Sequence, residues 1–223
     1  MRGVFITGTD TGVGKTVVSA ALMHRYGDIS PVRYWKPIQT GIEHDDDTES
    51  VARLSGCASD RLLRSGIRLA RPLSPHLAAR LAHTTIDLDA LIGTFDAQPR
   101  SDRWIVEGAG GALVPINDRM LMTDLMARLG LPVIVVARSS LGTINHTLLT
   151  LEALRARVIP IAGVIMSGES NVENRKAIEH YGDVRILGEL LQLSPLKPDA
   201  LREAAMSIDP DSALRACFED MVS

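Results

Sequence analysis

Apolar runs alternate with helical stripes along the whole of this chain. Val4-Phe5-Ile6-Thr7 is a short continuous apolar run, the pattern of a strand buried on both faces. Val17 to Tyr26 follows with Val18, Ala21 and Leu22 on one helical face. The pairing then repeats. Val32 to Pro37 reads as a strand stopped by proline, and Asp47 to Leu54 as a helix beyond a polar loop, Gly41 to Asp46. The stretch from Gly56 to Arg71 is irregular, with a short strand at Ile67 to Leu69. Ser74-Pro75 opens a helix through Leu81, proline lying in the first turn. Asp87 to Phe95 is helical, Trp104 to Glu107 a buried strand, and Thr123 to Leu129 helical. Pro132 to Ala137 is the clearest central strand, and a helix runs from Gly142-Thr143 to about Arg157. Ile159 to Met166 reads as a strand with Pro160 at its beginning, Asn171 to Tyr181 as a helix, and Val184 to Leu187 as the last strand. Two C-terminal helices are expected from about Asp199 and Asp211. Strand-helix alternation of this kind predicts an α/β fold, three-layered and doubly wound, with a mostly parallel sheet covered by helices on both faces.

In such a sheet, ligands bind outside the carboxyl ends of the strands. Four loops meet that condition, after Thr7, Trp35, Val106 and Ala137. The first is the most specific. Gly8-Thr9-Asp10-Thr11-Gly12-Val13-Gly14-Lys15-Thr16 stands between a strand and a helix, the context of a phosphate-binding loop. Gly12 and Gly14 let the backbone curl so that N–H groups point inward at the positive end of the helix. A triphosphate fits that nest, with Lys15 on its β and γ oxygens and the Thr16 hydroxyl on Mg²⁺. The loop departs from the usual pattern at its start, where Thr9 holds the place of the first glycine. The fold is thus expected to be of the P-loop NTPase type, binding ATP and Mg²⁺.

The other loops leave more open. Lys36 is held at the ligand edge by the following proline; it is either a solvated strand-end lysine or a second cation for a transferring phosphoryl group. Asp45-Asp46-Asp47 reads first as a solvated acidic run. Glu107 ends a buried strand and points into the crevice, before Gly108-Ala109-Gly110-Gly111, a flexible turn or a place where backbone N–H groups line the phosphates. Gly142-Thr143-Ile144-Asn145 opens a helix whose free N–H groups suit a carboxylate.

Bulk properties narrow the partners. A length of 223 residues predicts a single domain over 1–223. The net charge of −3 comes without basic runs interleaved with aromatics, which disfavours nucleic acid. Cys57 and Cys217 lack metal-type spacing and read as small apolar fillers. No apolar run approaches a membrane span and no cleavable leader precedes the first strand, so the expected location is cytoplasmic.

Five stretches together resemble the dethiobiotin synthetase family: Thr7 to Thr16, Lys36-Pro37-Ile38-Gln39-Thr40-Gly41, Ser74-Pro75-His76, Glu107 to Gly111, and Leu141-Gly-Thr-Ile-Asn-His146. Their order and separations fit that family from the first strand to about Leu193. The resemblance implies an ATP-dependent cyclo-ligase of biotin biosynthesis. One amine of 7,8-diaminopelargonate takes up CO₂ as a carbamate, ATP phosphorylates it, and the second amine closes the ring to dethiobiotin. It also implies a homodimer with the substrate site shared across the interface. Lys36 and Lys15 become the catalytic cations, and Thr16, Asp47 and Glu107 the Mg²⁺ set, with Asp46 the neighbouring alternative to Asp47. Gly12 to Val17 (Gly12, Val13, Gly14, Lys15, Thr16, Val17), Asp47, Glu107, Gly108, Ala109 and Gly110 would hold nucleotide. The purine side falls to Ser167, Gly168, Leu191, Gln192 and Leu193. Thr11, Thr40, Gly111, Gly142, Thr143, Ile144 and Asn145 would meet the substrate, the last four through its tail carboxylate. His146 and His76 are expected to be structural.

Two departures lie on the purine side. Ser167-Gly168 stands where many members carry an asparagine that reads the base, and Leu190 to Leu193 replaces a proline-containing turn. Two rival readings share the nucleotide loop. A partitioning-type switch ATPase usually carries lysine where Asp10 stands. An amidating relative of the cobyrinate type needs an attached glutaminase domain, for which 223 residues leave little room.

Overall fold

The computed structural model describes residues 1–29 and 31–219. Its centre is a seven-stranded, all-parallel sheet. The main strands are β1 (Arg2–Gly8), β2 (Val32–Trp35), β4 (Leu62–Leu63), β6 (Arg103–Gly111), β7 (Val133–Arg138), β8 (Ile161–Ser167) and β9 (Ile186–Leu190). They lie in the order β4-β2-β6-β1-β7-β8-β9. The chain builds one side of β1 first and then crosses to the other through β7. That reversal opens a crevice outside the carboxyl end of β1, where the nucleotide loop stands.

The period-two pattern divides the core. Val4, Ile6, Tyr34, Ile105, Ile134 and Val136 face one layer of helices, α1 (Lys15–Tyr26), α2 (Asp47–Ser55), α8 (Pro198–Ala205) and α9 (Arg215–Phe218). Phe5, Trp35, Trp104, Val106, Val133 and Val135 face the other, which includes α4 (Leu88–Asp96), α5 (Met122–Leu129), α6 (Thr143–Arg155) and α7 (Val172–Gly182). Alternate residues of one strand therefore feed two separate apolar layers. In the second layer Phe95 stacks on Trp35 at 5.5 Å between ring centres and meets Trp104 edge-on at 5.4 Å.

Several expectations are corrected. The main sheet gains the two-residue edge strand β4, and the stretch between Pro37 and the polar loop from Gly41, to which the sequence pattern assigns no element, forms β3 (Ile38–Thr40), which pairs in parallel with β5 (Ile67–Leu69) in a small second sheet. Gly66 makes that pairing possible, because a Cβ there would lie 2.7 Å from the Pro37 carbonyl oxygen. Gly108 to Gly111 is not a loop after a strand but the continuation of β6, with an irregular register against β1 between the pairs Ile6–Glu107 and Gly8–Gly111. The last strand begins at Ile186, not Val184. The second C-terminal helix begins at Arg215 rather than Asp211, because the Asp209 carboxylate accepts the Ala213 and Leu214 N–H groups at 2.7 and 2.9 Å and holds that stretch as a turn. Asp209 also accepts the Tyr26 hydroxyl, and Phe218 stacks on the Tyr26 ring, so the C-terminal segment docks on the end of α1.

Between β3 and β6 the remaining helix, α3 (Pro75–Leu81), packs beside the small sheet. Cys57 and Cys217 are free and half-buried, each packed against the first apolar layer as small fillers. Among the described residues no helix is long and apolar enough to cross a membrane.

Candidate active site

The nucleotide loop takes the curled form its glycines permit. Gly14, at the helix N-cap, has φ of 95°, a left-handed conformation that an L side chain adopts only with strain. Lys15 then starts α1 and folds its ammonium back onto the Asp10 carbonyl at 3.0 Å. The Asp10 carboxylate accepts the Thr11 N–H and pairs with Arg138 at 2.8 Å, tying the loop to the end of β7.

Three further side chains converge on this loop from other elements. Register explains two of them. Tyr34 and Trp35 pair with Ile105 and Val106, so one step further Lys36 arrives beside Glu107. Asp47 opens α2, whose N-cap is Asp46. The Lys36 ammonium lies 2.6 Å from Asp47 Oδ2, 2.8 Å from Glu107 Oε1 and 3.0 Å from the Gly108 carbonyl, which engages all three of its protons. The Thr16 hydroxyl lies 2.8 Å from Asp47 Oδ1 and 3.1 Å from Glu107 Oε1, its single proton serving one at a time. Glu107 Oε2 accepts from Ser19 at 2.8 Å and Tyr34 at 3.0 Å. Asp46 turns away: it caps α2 through the Thr48 and Glu49 N–H groups and pairs with Arg68.

Electrostatics follows from this packing. Burial, reinforced by Lys36, lowers the Lys15 pKa to about 8, against the pull of Glu107, Asp47 and Asp10. Burial also works against charge on Lys36, but Glu107 and Asp47 outweigh it and raise its pKa. Asp47 is opposed by burial as well, yet the Lys36 ammonium and the Thr16 hydroxyl hold its carboxyl below the usual range. Burial, and then the Glu107 charge, push the Tyr34 phenol well up, so it remains an O–H donor.

A cleft of about 770 Å³ lies over these groups. Of the expected residues, Thr11, Gly12, Gly14, Lys15, Thr16, Val17, Lys36, Thr40, Asp47, Glu107, Ala109 and Gly110 line it. Val13 is buried beneath the loop. Gly108 faces Lys36 with its carbonyl, so that residue offers an acceptor where backbone donors were expected. Gly111 lies on a neighbouring cavity of about 390 Å³, together with Thr9, Thr11, Leu113, His146 and Leu149. Gly142 to Asn145 form the N-terminal turn of α6, away from the cleft; Gly142 and Asn145 are exposed, Ile144 is half-buried and Thr143 is buried.

Ser167 and Gly168 close the end of β8. The Ser167 hydroxyl rests against Gly14, where a Cβ would come within 2.7 Å of it, and the Gly168 N–H donates to the Leu190 carbonyl at 3.0 Å. Leu191 and Gln192 beyond are exposed and Leu193 is half-buried. His146 is exposed on α6 rather than packed, since its position falls on the helix's outer side. His76 is half-buried, its backbone N–H bonded to the Pro115 carbonyl.

Ser19, Tyr34 and Gln39 were not anticipated. Ser19 stands one helical turn beyond Thr16, and Tyr34 two residues before Lys36 on the same strand face. Those spacings were available signals. Gln39 lines the cleft and donates to the Thr40 carbonyl at 3.1 Å.

The donor set suits Mg²⁺. Thr16 Oγ1, Asp47 and Glu107 Oε1 are hard oxygens within hydrogen-bond reach of one another, and the Lys36 ammonium between the two carboxylates marks a place that accommodates a cation. Two carboxylates and a hydroxyl leave the other positions for phosphate and water, as Mg²⁺ prefers. Among the described residues no group of three or more His, Cys, Asp or Glu forms a metal cluster.

Known proteins resemble this chain over most of its length. The family described as "AAA domain" matches residues 2–200. An ATP-dependent dethiobiotin synthetase of Paramagnetospirillum magneticum is 56% identical over 193 residues, 86% of this chain and 89% of that protein. One of Agrobacterium fabrum is 48% identical over 200 residues, covering 89% and 90%. Among solved structures, a MinC:MinD cell division protein complex of Aquifex aeolicus superposes with a TM-score of 0.63 at 13% identity, over 100% of this chain and 98% of that one; at that identity the likeness concerns the fold alone.

Proposed function

The chain belongs to the dethiobiotin synthetase family, and from that premise we propose that it converts 7,8-diaminopelargonate, CO₂ and ATP to dethiobiotin, ADP and phosphate. One amine adds to CO₂ and loses a proton to give a carbamate. A carbamate oxygen attacks the γ-phosphorus, and the bond to ADP breaks. The second amine then attacks the carbonyl carbon of the carbamic-phosphoric anhydride, the C–O bond to phosphate breaks, and the ring closes as that amine releases a proton.

The observation that carries this reading is the meeting of Lys15 and Thr16 with Lys36, Asp47 and Glu107, delivered by four different elements to one cleft. A lone nucleotide loop needs none of the last three. Lys15 and Lys36 neutralise charge as the γ-phosphoryl group passes to the carbamate, and Lys36 exchanges its carboxylate partners for phosphoryl oxygens. Thr16, Asp47 and Glu107 would hold Mg²⁺, which would supply charge neutralisation on the phosphates. The curled backbone from Gly12 to Val17 cradles the phosphates, and Thr11 and Thr40 orient the diamine. Gly108 to Gly111 form the wall along which carbamate and phosphate lie. The turn after β8 (Ser167, Gly168) and Leu191 to Leu193 bound the purine.

The same reading places the activity in one domain, acting as a cytoplasmic homodimer. Exposed Leu113 and Leu149 flank the second cavity, and Leu141 projects fully beside the α6 N-terminus. A second copy covering this face would bring Gly142 to Asn145 toward the tail carboxylate of a substrate seated in the other subunit's cleft.

Purified protein given diaminopelargonate, bicarbonate, Mg²⁺ and ATP should form dethiobiotin, identified by mass, in step with ADP. Formation of ADP without dethiobiotin would overturn the reading.

A further inference from the structure

Glu107 is wholly buried, and half of its hydrogen bonding faces away from the cleft. Its Oε1 lies beside Thr16 and Lys36, both of which line the cleft. Its Oε2 accepts from the Ser19 hydroxyl of α1 at 2.8 Å and the Tyr34 phenol of β2 at 3.0 Å. Ser19 and Tyr34 are themselves fully buried, and neither borders the cleft. The two oxygens of one carboxylate thus have different duties. On the proposed mechanism the partners of Oε1 change when nucleotide arrives, because Lys36 exchanges Glu107 for a phosphoryl oxygen. The partners of Oε2 come from the core and stay.

We infer that Ser19 and Tyr34 are positioning residues that hold Glu107 in one orientation and leave only Oε1 for a divalent cation. Three physical points support this. A carboxylate with one oxygen free can rotate about its last torsion, which is broad and roughly two-fold; two donors on Oε2 from different elements remove that freedom. Partners of a ligating carboxylate govern how well it binds a metal, and losing one costs about 10–100-fold in metal affinity or activity. Ser19 also shares a helix face with Thr16, and Tyr34 a strand face with Lys36, so the clamp is fixed by the same two elements that deliver the cleft's hydroxyl and lysine.

The inference rests on the proposed role of Glu107 as a magnesium ligand, and the test separates the two. ATP binding is measured by calorimetry across a range of Mg²⁺ concentrations and again in EDTA, for the wild type, Tyr34→Phe, Ser19→Ala and Glu107→Gln. Tyr34→Phe keeps the aromatic ring in the core, and Ser19→Ala keeps the helix, so each stands as a separate test if the other fails to fold. In both variants the Mg²⁺ concentration giving half-maximal ATP binding should rise by about tenfold, while ATP affinity in EDTA stays at the wild-type value. A purely structural role would lower both affinities together, and that outcome would overturn the inference. So would unchanged Mg²⁺ dependence in the two variants when Glu107→Gln loses it. If Glu107→Gln keeps the wild-type dependence, the ligand role itself fails and the clamp with it.

Discussion

The proposed phosphate side and the proposed purine side of the crevice are built on different principles. At the phosphate end, Lys36, Asp47, Glu107 and Thr16 form one connected set of charge-assisted contacts between 2.6 and 3.1 Å. Lys36 follows the end of β2, Thr16 and Asp47 stand in the first turns of α1 and α2, and Glu107 lies within β6. At the purine end, Ser167 rests on Gly14, the chain turns at Gly168, and Leu191 and Gln192 extend into solvent. Charge is concentrated where phosphoryl groups would lie, and little more than backbone shape remains where the base would lie. The molecule should therefore be sensitive to changes at the first end and tolerant at the second.

The largest expected effect tests the first half of that contrast. Lys36→Ala should slow dethiobiotin formation on the order of a thousandfold, while ATP binding measured by calorimetry stays within an order of magnitude. A near-normal rate would remove Lys36 from phosphoryl transfer. Next comes the point where the two ends touch. Gly14→Ala forces an L side chain into φ of 95° and toward the Ser167 hydroxyl, at about 1–2 kcal/mol. ATP affinity should fall about tenfold, and pairing it with Ser167→Gly should recover the contact part of that loss but not the backbone part.

These contrasts were unequally legible in the chain. Gly12 to Thr16 could be read because strand, loop and helix follow one another there, whereas roles for Lys36 and Glu107 came only from the family resemblance. The continuous apolar runs Val4 to Thr7 and Pro132 to Ala137 likewise revealed the central strands. β3 and β4 were hidden because three or two residues carry no periodicity, and the pairing of β3 with β5 depends on Gly66 approaching Pro37. Continuation of β6 through Gly108 to Gly111 was hidden because glycines read locally as a turn, whereas Gly111 regains its pairing with Gly8 of the neighbouring β1 beyond an irregularity at which Gly110 takes a φ of 70°. The choice between Asp46 and Asp47 needed three dimensions. Both begin the same helix, and only the fold shows one capping it and the other reaching Thr16 and Lys36.

The pH dependence sharpens the contrast further. With its pKa lowered to about 8 in the free protein, Lys15 loses its charge as the pH rises past that value. A bound triphosphate favours the protonated form, so ATP binding takes up a proton above about pH 8. Affinity should fall by up to about tenfold per pH unit there. Calorimetry in buffers of different ionisation enthalpy would detect the uptake; its absence at pH 8 to 9 would contradict the lowered value. The same group acts on stability in the opposite sense. Its folded pKa lies below its unfolded one, so between about pH 8 and 10.5 it makes the folded protein more stable as the pH rises.

The smallest effect belongs to the purine side. Ser167→Ala should change ATP affinity by less than about threefold, since a single hydroxyl contact contributes about 1 kcal/mol or less. GTP and CTP should support dethiobiotin formation within about tenfold of ATP. Strong selection for adenine would mean that the base is held by groups beyond Ser167.

The most direct measurement is phosphate release from ATP by the pure protein, with Mg²⁺ and bicarbonate, in the presence and absence of 7,8-diaminopelargonate. Release that depends on the diamine and matches the dethiobiotin formed is the expected result. Equal release without the diamine would show that Lys15, Lys36, Asp47 and Glu107 serve ATP hydrolysis rather than transfer to a carbamate.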